Sequence, residues 1–421
     1  MTDTVEVFLW PEKPVGTLWF RSSNGRETAS FQYDQSWLTQ QFGGFALEPM
    51  LKLNDGTYHT GNMPLFGAFG DSAPDRWGRI LLRRREERQA KTMRHSPRTL
   101  TELDFLLGIN DEARQGALRF RKKGGPFLAP SESSAYTGTV NAIPPLVALP
   151  KLLSASERFL ESKESDEDLR LLLAPGSSLG GARPKASVYD SVDLSIAKFP
   201  NKNDEYQITL WEALALTLAE KAGIQVSSWR IEQVLNKPVL ILKRFDRQRQ
   251  KRIPFLSAMS ILGSRDNEQH SYLEIAFAII QHGAEPLKDL EELWRRLVFN
   301  ICISNTDDHL RNHGFLLAQG SSNGWRLSPA YDLNPVSRQA GPRFLSLAID
   351  MLSREASIET ALSVIGEFRI KKERAITILG EVKRSVREWK STAHYLGISR
   401  QEIDSMASAF EIGENDNTLS N

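Results

Sequence analysis

The sequence of 421 residues predicts an α+β protein in which a mixed first half precedes a mostly helical second half. Two observations lead to this prediction. In the first half, runs of alternating apolar residues and an Asn-Gly turn signal are typical of hairpin strands. After Pro254, apolar residues instead recur at the three-to-four-residue spacing of helices.

The first half contains most of the predicted strands. Strands are expected at residues 6–10, 14–20, 29–33, 194–199 and 237–245, and helices at 75–90, 101–107, 152–173 and 204–222. Residues 122–150 are rich in Gly, Pro, Ser and Ala, which indicates a long connection or a boundary. We therefore expect a β-rich N-terminal subdomain at 1–125, a second part at 126–255 and a helical lobe at 256–421.

The second half is predicted from helical spacing with one interruption. Helices are expected at residues 272–280, 287–303, 358–365, 371–392 and 400–410. Between the second and third of these, apolar runs at 314–318 and 325–327 flank a Ser-Ser-Asn-Gly turn, which predicts a hairpin.

Composition excludes several classes of protein. Lys+Arg is 53 and Asp+Glu is 52, so a net charge of +1 does not fit a polycationic nucleic-acid binder. Cys302 is the one cysteine in the sequence, which rules out an internal disulfide, and its apolar neighbours predict a buried thiol. The sequence has no apolar run of membrane-spanning length and no signal-peptide pattern at its start, so we expect a cytoplasmic protein without a membrane partner.

The strongest chemical signal is Asn305-Thr306-Asp307-Asp308-His309-Leu310-Arg311-Asn312. It lies between a predicted helix and a predicted strand, and four residues separate Asp307 from Asn312. Protein-kinase catalytic loops use this spacing, because the Asp orients the substrate hydroxyl while the Asn holds Mg²⁺ on the phosphates. We predict that Asp307 is catalytic, that Asn312 binds metal and that His309 orients the loop.

A second aspartate follows the predicted hairpin. Asp332 lies in Ala330-Tyr331-Asp332-Leu333, 25 residues after Asp307. In kinases, a hairpin separates the catalytic loop from the metal-binding Asp of the Asp-Phe-Gly motif. We predict that Asp332 bridges Mg²⁺ to the β- and γ-phosphates of ATP.

A glycine- and serine-rich segment in the first half is a candidate phosphate loop. It runs from Gly176 to Lys185 and includes Gly180, Gly181 and Ala182, whose backbone N–H groups could approach phosphates closely. Lys198, on the predicted strand that follows, is placed to grip the α- and β-phosphates. Glu212 on the next helix is the preferred ion-pair partner of Lys198, ahead of Glu205.

A third segment, Leu242-Lys243-Arg244-Phe245-Asp246-Arg247, ends a predicted strand where a kinase hinge would lie. We predict that Phe245 lines the adenine pocket and that Asp246 reaches the ribose. An exposed, charged strand end remains the alternative for the basic residues.

Together these residues resemble the HipA family of toxin kinases. The resemblance is carried by residues 177–185, 196–198, 244–247, 307–312 and 330–332, with a weaker N-terminal match at 15–18, 31–34 and 75–79. It covers nearly the whole chain and implies a two-lobed, protein-kinase-like fold and an ATP- and Mg²⁺-dependent serine/threonine kinase. The sequence has Arg183-Pro184 where the best-known members have Gln-Glu, which places it in a divergent branch.

The resemblance also implies regulation and partners. The family's autophosphorylated serine falls on Ser178, with Ser177 beside it, and a phosphate there would occupy the space that ATP phosphates need. Family members act as toxins that phosphorylate a protein target such as an aminoacyl-tRNA synthetase or another translation factor. They pair with a small helix-turn-helix antitoxin, through which alone DNA would be contacted.

Two other functions remain open from the residues. The first is a small-molecule phosphotransferase with the same lobes. The second is a non-catalytic, kinase-fold binding partner of a repressor. The presence of Asp307, Asn312, Asp332 and Lys198 favours an enzyme, because a scaffold would not need a complete metal and phosphate site.

Overall fold

The computed structural model describes residues 2–23, 25–39, 44–127, 143–173, 181, 183–249, 251–318, 324–337 and 343–414. The chain divides into two compact units. Unit 1 comprises Met1–Lys202 and Glu232–Leu256, and unit 2 comprises Asn203–Ile231 and Ser257–Asn421. Over the described part of the chain, every helix is too short or too polar to cross a lipid bilayer.

The strands in chain order are β1 (Thr2–Leu9), β2 (Lys13–Ser23), β3 (Arg26–Tyr33), β4 (Thr57–His59), β5 (Leu118–Lys122), β6 (Lys185–Asp190), β7 (Asp193–Lys198), β8 (Trp229–Val234), β9 (Lys237–Lys243), β10 (Arg247–Gln248), β11 (Lys251–Arg252), β12 (Phe255–Ser257), β13 (Gly314–Leu317) and β14 (Trp325–Leu327).

The α-helices in chain order are α1 (Gln35–Leu38), α2 (Gly67–Gly70), α3 (Arg76–Thr92), α4 (Glu102–Leu107), α5 (Leu149–Leu160), α6 (Asp166–Leu173), α7 (Ile208–Lys221), α8 (Ala258–Leu262), α9 (Tyr272–His282), α10 (Pro286–Cys302), α11 (Ile358–Ser363), α12 (Lys372–Val386), α13 (Trp389–Tyr395), α14 (Arg400–Met406) and α15 (Glu411–Glu414). Short 3₁₀ helices occupy Leu146–Ala148, Leu310–Asn312 and Ala407–Phe410.

Unit 1 contains two larger antiparallel sheets and the small two-stranded β10–β11 sheet. The first has the order β4-β3-β2-β1-β5, and its β2–β3 hairpin closes with Ser23 opposite Arg26. Gly25 has a φ of 73°, a left-handed conformation that glycine adopts without steric cost, which confirms the predicted turn. The second sheet has the order β6-β7-β9-β8, and its buried side chains form one core with apolar residues of α3, α5 and α6.

Side-chain caps fix where several helices of unit 1 begin. At the start of α4, within the helix predicted at 101–107, Thr101 and Asp104 form a reciprocal capping box. The single helix predicted at 152–173 is wrong, because α5 ends at Leu160 and α6 begins at Asp166. Ser162 has a φ of 56°, and Ser165 Oγ accepts a hydrogen bond from the Asp168 N–H at 3.1 Å, so a new helix starts there.

Unit 2 is built around α10. Most residues of this helix are buried, and Cys302 at its end is 0% exposed, which confirms the predicted buried thiol. Helices α9, α11, α12 and α15 pack against it, and α7 packs against α12. The prediction of one helix at 371–392 is wrong: α12 ends at Val386, and Trp389 at the start of α13 stacks on Phe410 at 4.3 Å between ring centroids.

Candidate active site

The predicted catalytic loop begins where the buried helix α10 stops. Ser304 adopts a φ of 52° and donates its hydroxyl to the Ala409 carbonyl at 2.7 Å, so the chain turns sharply away from the helix axis. The Asn305 N–H then bonds to the Asn300 carbonyl at 2.9 Å. These two hydrogen bonds fix the start of a short loop. In this loop the side chain of Asp307 is 78% exposed. The carboxylate of Asp307 is thus open to a substrate.

Asn312 is oriented by the loop itself. Its Nδ2 donates a hydrogen bond to the Asp307 carbonyl at 2.8 Å, which fixes the plane of the side-chain amide. Its Oδ1 is buried and has no hydrogen-bond partner among the described residues. An amide oxygen held in this way is a suitable ligand for a hard cation such as Mg²⁺.

The segment of Asp332 lies against the same loop. The Tyr331 hydroxyl donates to the Arg311 carbonyl at 2.7 Å, which joins the residue before Asp332 to the residue before Asn312. Asp332 itself has a φ of 54°, a conformation that non-glycine residues seldom adopt and that is often found at functional sites. The structure therefore brings the segments of Asp307, Asn312 and Asp332 together.

A buried network supports this loop, and sequence reasoning missed it. Asp308 is 1% exposed, and its carboxylate accepts hydrogen bonds from the Tyr272 hydroxyl at 2.6 Å and the Ser346 N–H at 2.9 Å. Asn300 on α10 donates to the Tyr272 hydroxyl at 2.9 Å, and the Ser346 hydroxyl donates to the Thr306 carbonyl at 2.8 Å. Asp307 and Asp308 are adjacent and chemically identical, and burial alone separates their roles.

Burial dominates the electrostatics of the network. It raises the pKa of the Asp308 carboxyl to about 6, although the hydrogen bonds from Tyr272 and Ser346 act in the opposite direction. Burial, together with the charge of Arg296, lowers the pKa of the neighbouring His313 to about 3, so that imidazole is neutral at ordinary pH.

His309 lies beside the proposed catalytic carboxylate. Its Nε2 is 3.9 Å from Asp307 Oδ1, and its side chain is 41% exposed. This position is compatible with the predicted orienting role, which stays a prediction. Glu212 on α7 also belongs to unit 2 and is 3% exposed.

The predicted ATP-contacting residues belong to unit 1. Lys198 is the last residue of β7 and lies opposite Lys185 of β6 in the antiparallel register. Gly181 has a φ of 85°, which a residue with a side chain would adopt only under strain. The predicted residues Ser177, Ser178, Gly180 and Ala182 lie outside the described residues. The predicted Lys198–Glu212 ion pair remains a prediction.

The structure corrects the prediction for Asp246. This residue is 0% exposed, and its carboxylate accepts hydrogen bonds from Arg244 Nε at 2.8 Å, Arg247 at 2.7 Å and the Gly116 N–H at 2.7 Å. Burial alone would raise the pKa of Asp246, but the two guanidinium charges hold it well below its usual range. Both carboxylate oxygens of Asp246 accept hydrogen bonds from protein donors. Asp246 therefore has a structural role instead of the predicted contact with the ribose. Phe245 is partly exposed, 6.1 Å from the Phe255 ring.

The elements follow the order of a kinase-like catalytic lobe. A buried helix leads into an exposed Asp-x4-Asn loop, and a hairpin and an aspartate in a left-handed conformation come next. The family follows from sequence models: residues 5–120 match the HipA N-terminal domain and residues 177–389 match the HipA-like C-terminal domain. The chain therefore belongs to the HipA family, as the resemblance predicted.

Individual relatives agree with this assignment. A Haemophilus influenzae protein named as a candidate kinase is 27% identical over 236 residues, which cover 49% of this chain and 64% of that protein's length. The structure of HipA in complex with HipB and operator DNA, from Shewanella oneidensis, matches with a TM-score of 0.67 and 17% identity over 97% of this chain and 95% of that chain. The predicted α+β, kinase-like fold is thereby confirmed.

A more distant structure is the Helicobacter pylori proinflammatory kinase CtkA. It has a TM-score of 0.38 and 17% identity, and the match covers 56% of this chain and 92% of that chain. We draw no conclusion from a similarity of this extent.

Proposed function

We propose that this protein is a Mg·ATP-dependent serine/threonine protein kinase and the toxin of a HipA-type toxin–antitoxin pair. The observation that carries the proposal is the geometry of one loop in unit 2. It exposes the Asp307 carboxylate, fixes the Asn312 amide with its oxygen unpartnered, and contacts the segment of Asp332.

The residues present fit a nucleotide-bound magnesium ion. Mg²⁺ usually takes one or two protein oxygens and completes its shell with waters and phosphates, so a protein cage is not needed. Asn312 Oδ1 and the Asp332 carboxylate would hold the ion, which would neutralise the charge of the transferring phosphoryl group. Lys198 and the backbone of residues 180–182 remain the proposed phosphate contacts.

Asp307 would handle the proton of the acceptor. As the acceptor oxygen forms its bond to the γ-phosphorus, the bond from that phosphorus to the β–γ bridging oxygen breaks and ADP leaves. Asp307 orients the acceptor hydroxyl and receives its proton. The buried Asp308 network holds the backbone on either side of Asp307, so the carboxylate keeps its position through the step.

The proposed biological context follows from the family and its structural relative. The Shewanella protein is bound to HipB and operator DNA. We expect a small helix-turn-helix antitoxin for this chain as well, with DNA contacted only through it. The target would be a cytoplasmic protein of translation, such as an aminoacyl-tRNA synthetase, and autophosphorylation at Ser178 or Ser177 would switch the kinase off.

Autophosphorylation tests the chemistry directly. The purified protein is incubated with Mg·ATP, and phosphate is located by mass spectrometry in the wild type, in Asp307→Gln and in Asp404→Asn, an exposed carboxylate on α14 that serves as the matched control. We expect phosphate on Ser178 or Ser177 in the wild type and the control, loss of about 10²–10⁴-fold in rate in Asp307→Gln, and none with EDTA.

Two results would favour the other functions. No phosphate and no thermal shift with Mg·ATP in the wild type would overturn the kinase proposal and favour a non-catalytic binding partner. ATP turnover that requires a small-molecule acceptor, without any phosphoprotein, would favour a small-molecule phosphotransferase.

A further inference from the structure

A buried ion pair in unit 1 connects the N-terminal family domain to the candidate phosphate loop. Asp75 Oδ2 lies 2.9 Å from Lys185 Nζ, and the two side chains are 5% and 4% exposed. The other oxygen of Asp75 accepts the Gly78 N–H at 2.9 Å and so caps α3. Asp75 therefore fixes the start of a 17-residue helix and the first residue of β6 at the same time.

Further contacts hold the end of the phosphate loop at the same place. The Trp77 N–H, in the first turn of α3, approaches the Gly181 carbonyl at 3.4 Å, and Lys185 Nζ lies 3.5 Å from the same carbonyl. Each contact is long, but both converge on one atom. The position of Gly181 thus depends on α3 and on Lys185.

The Asp75–Lys185 ion pair also lies next to Lys198, the lysine predicted to bind the ATP phosphates. Lys185 and Lys198 are directly opposite each other in the β6–β7 ladder, and the Phe199 N–H bonds to the Pro184 carbonyl at 3.0 Å. Side chains in this relation share one face of the sheet with Cβ atoms about 5 Å apart, and like charges there repel. The carboxylate of Asp75 supplies a counter-charge on that face.

We propose that Asp75 is a positioning residue for nucleotide binding, acting through Lys185 on both Gly181 and Lys198. The proposal rests on the proposed kinase function. Asp75→Asn keeps the size of the side chain but leaves the Lys185 ammonium buried without its counter-charge, which is costly. The Lys185 ammonium should then move toward water. Because Gly181 and Lys198 lie next to Lys185, their positions should change as well.

Nucleotide affinity tests the proposal. Calorimetric titration with Mg·ATP would compare the wild type with Asp75→Asn, Lys185→Met and the double variant. The control is Glu102→Gln, which removes another ion pair of α3, that with Arg79, and this pair makes no contact with the described residues of the loop. We expect each single variant to bind about tenfold more weakly, the double variant to lose less than the product of the two, and the control to bind as the wild type does.

A second measurement does not depend on ATP. Amide hydrogen exchange of the nucleotide-free protein should rise in residues 183–188 of Asp75→Asn and stay unchanged in Glu102→Gln, with circular dichroism showing that both are folded. If Asp75→Asn binds Mg·ATP as the wild type does, the proposal is wrong, whatever the exchange shows. If the wild type itself does not bind Mg·ATP, the kinase proposal fails, and the exchange data alone decide whether Asp75 holds the loop end.

Discussion

Two charged motifs of this chain each contain an aspartate that the sequence assigned to the site, and the two differ in the structure. Arg244-Phe245-Asp246-Arg247 in unit 1 places its aspartate at 0% exposure, with protein donors on both carboxylate oxygens. The predicted catalytic loop in unit 2 places the side chain of Asp307 at 78% exposure. A carboxylate whose hydrogen-bonding capacity is filled by its own protein stabilises the fold, whereas an exposed one is available for chemistry.

The Asp246 cluster extends beyond one ion pair. Arg244 NH1 donates to the Ala113 carbonyl at 2.6 Å, and Arg247 NH2 donates to the Arg114 carbonyl at 2.7 Å. These bonds tie the strand ends at 244–247 to a segment some 130 residues earlier in the chain. The cluster therefore joins distant parts of unit 1, and its charge balance depends on one carboxylate.

The largest expected effect is on stability, from Asp246→Asn. The substitution leaves two buried guanidinium groups without their shared counter-charge, which costs about 3–5 kcal/mol in comparable buried pairs. Denaturant unfolding should show this loss at pH 7. Because the pKa of Asp246 is depressed in the fold, its contribution is present above the unfolded pKa of about 4 and is lost as the pH falls below it. A variant as stable as the wild type at pH 7 would contradict the structural role.

Asp332→Asn should lower activity and leave stability nearly unchanged. Asn also tolerates the left-handed backbone at this position, so the fold should be retained, with a change in unfolding free energy within about 0.5 kcal/mol. Loss of the carboxylate should lower the autophosphorylation rate by about 10²–10³-fold and raise the Mg²⁺ concentration needed for half-maximal rate. Full activity at unchanged Mg²⁺ would remove Asp332 from the metal site.

Sequence spacing predicted the element order around the candidate site better than it predicted the burial of single aspartates. The helix–loop–hairpin order around Asp307, Asn312 and Asp332 is local, so a window of about thirty residues contains it. The burial of Asp246 depends on the Gly116 N–H and on carbonyls near residue 114, and no local pattern reveals such a distant partner. For the same reason, the sequence did not reveal the burial of Asp308, whose partners Tyr272 and Ser346 are distant in sequence.

Helix boundaries were predicted unevenly. The capping box of Thr101 and Asp104 lies at the start of a helix that the sequence predicted. The break between α5 and α6 was missed, although residues 161–168 contain no apolar residue and Ser165 caps the new helix by accepting the Asp168 N–H. The left-handed turn at Ser162 lies in this polar stretch. This boundary was therefore visible in the local sequence.

A smaller effect is expected from Asp308→Asn, and it depends on pH. The raised pKa of Asp308, about 6, means that the folded protein binds a proton there more tightly than the unfolded chain does. This group therefore lowers stability as the pH rises from about 4 through 6. The unfolding free energy of the variant minus that of the wild type should increase by roughly 2–3 kcal/mol between pH 4 and pH 7. A difference that does not change with pH would show that folding leaves the pKa of Asp308 unchanged.

The smallest expected effect comes from an ion pair that is only partly buried. Arg374 and Glu291 are joined by a 2.5 Å contact, and their side chains are 41% and 35% exposed. Glu291→Gln should cost about 0.2–1 kcal/mol, because water already solvates both charges. Raising the salt concentration to 1 M should reduce this difference, since the screening length falls to about 3 Å, whereas the loss in Asp246→Asn should persist. Equal salt sensitivity of the two variants would mean that solvent reaches the Asp246 cluster, and the contrast between the two motifs would then not rest on burial.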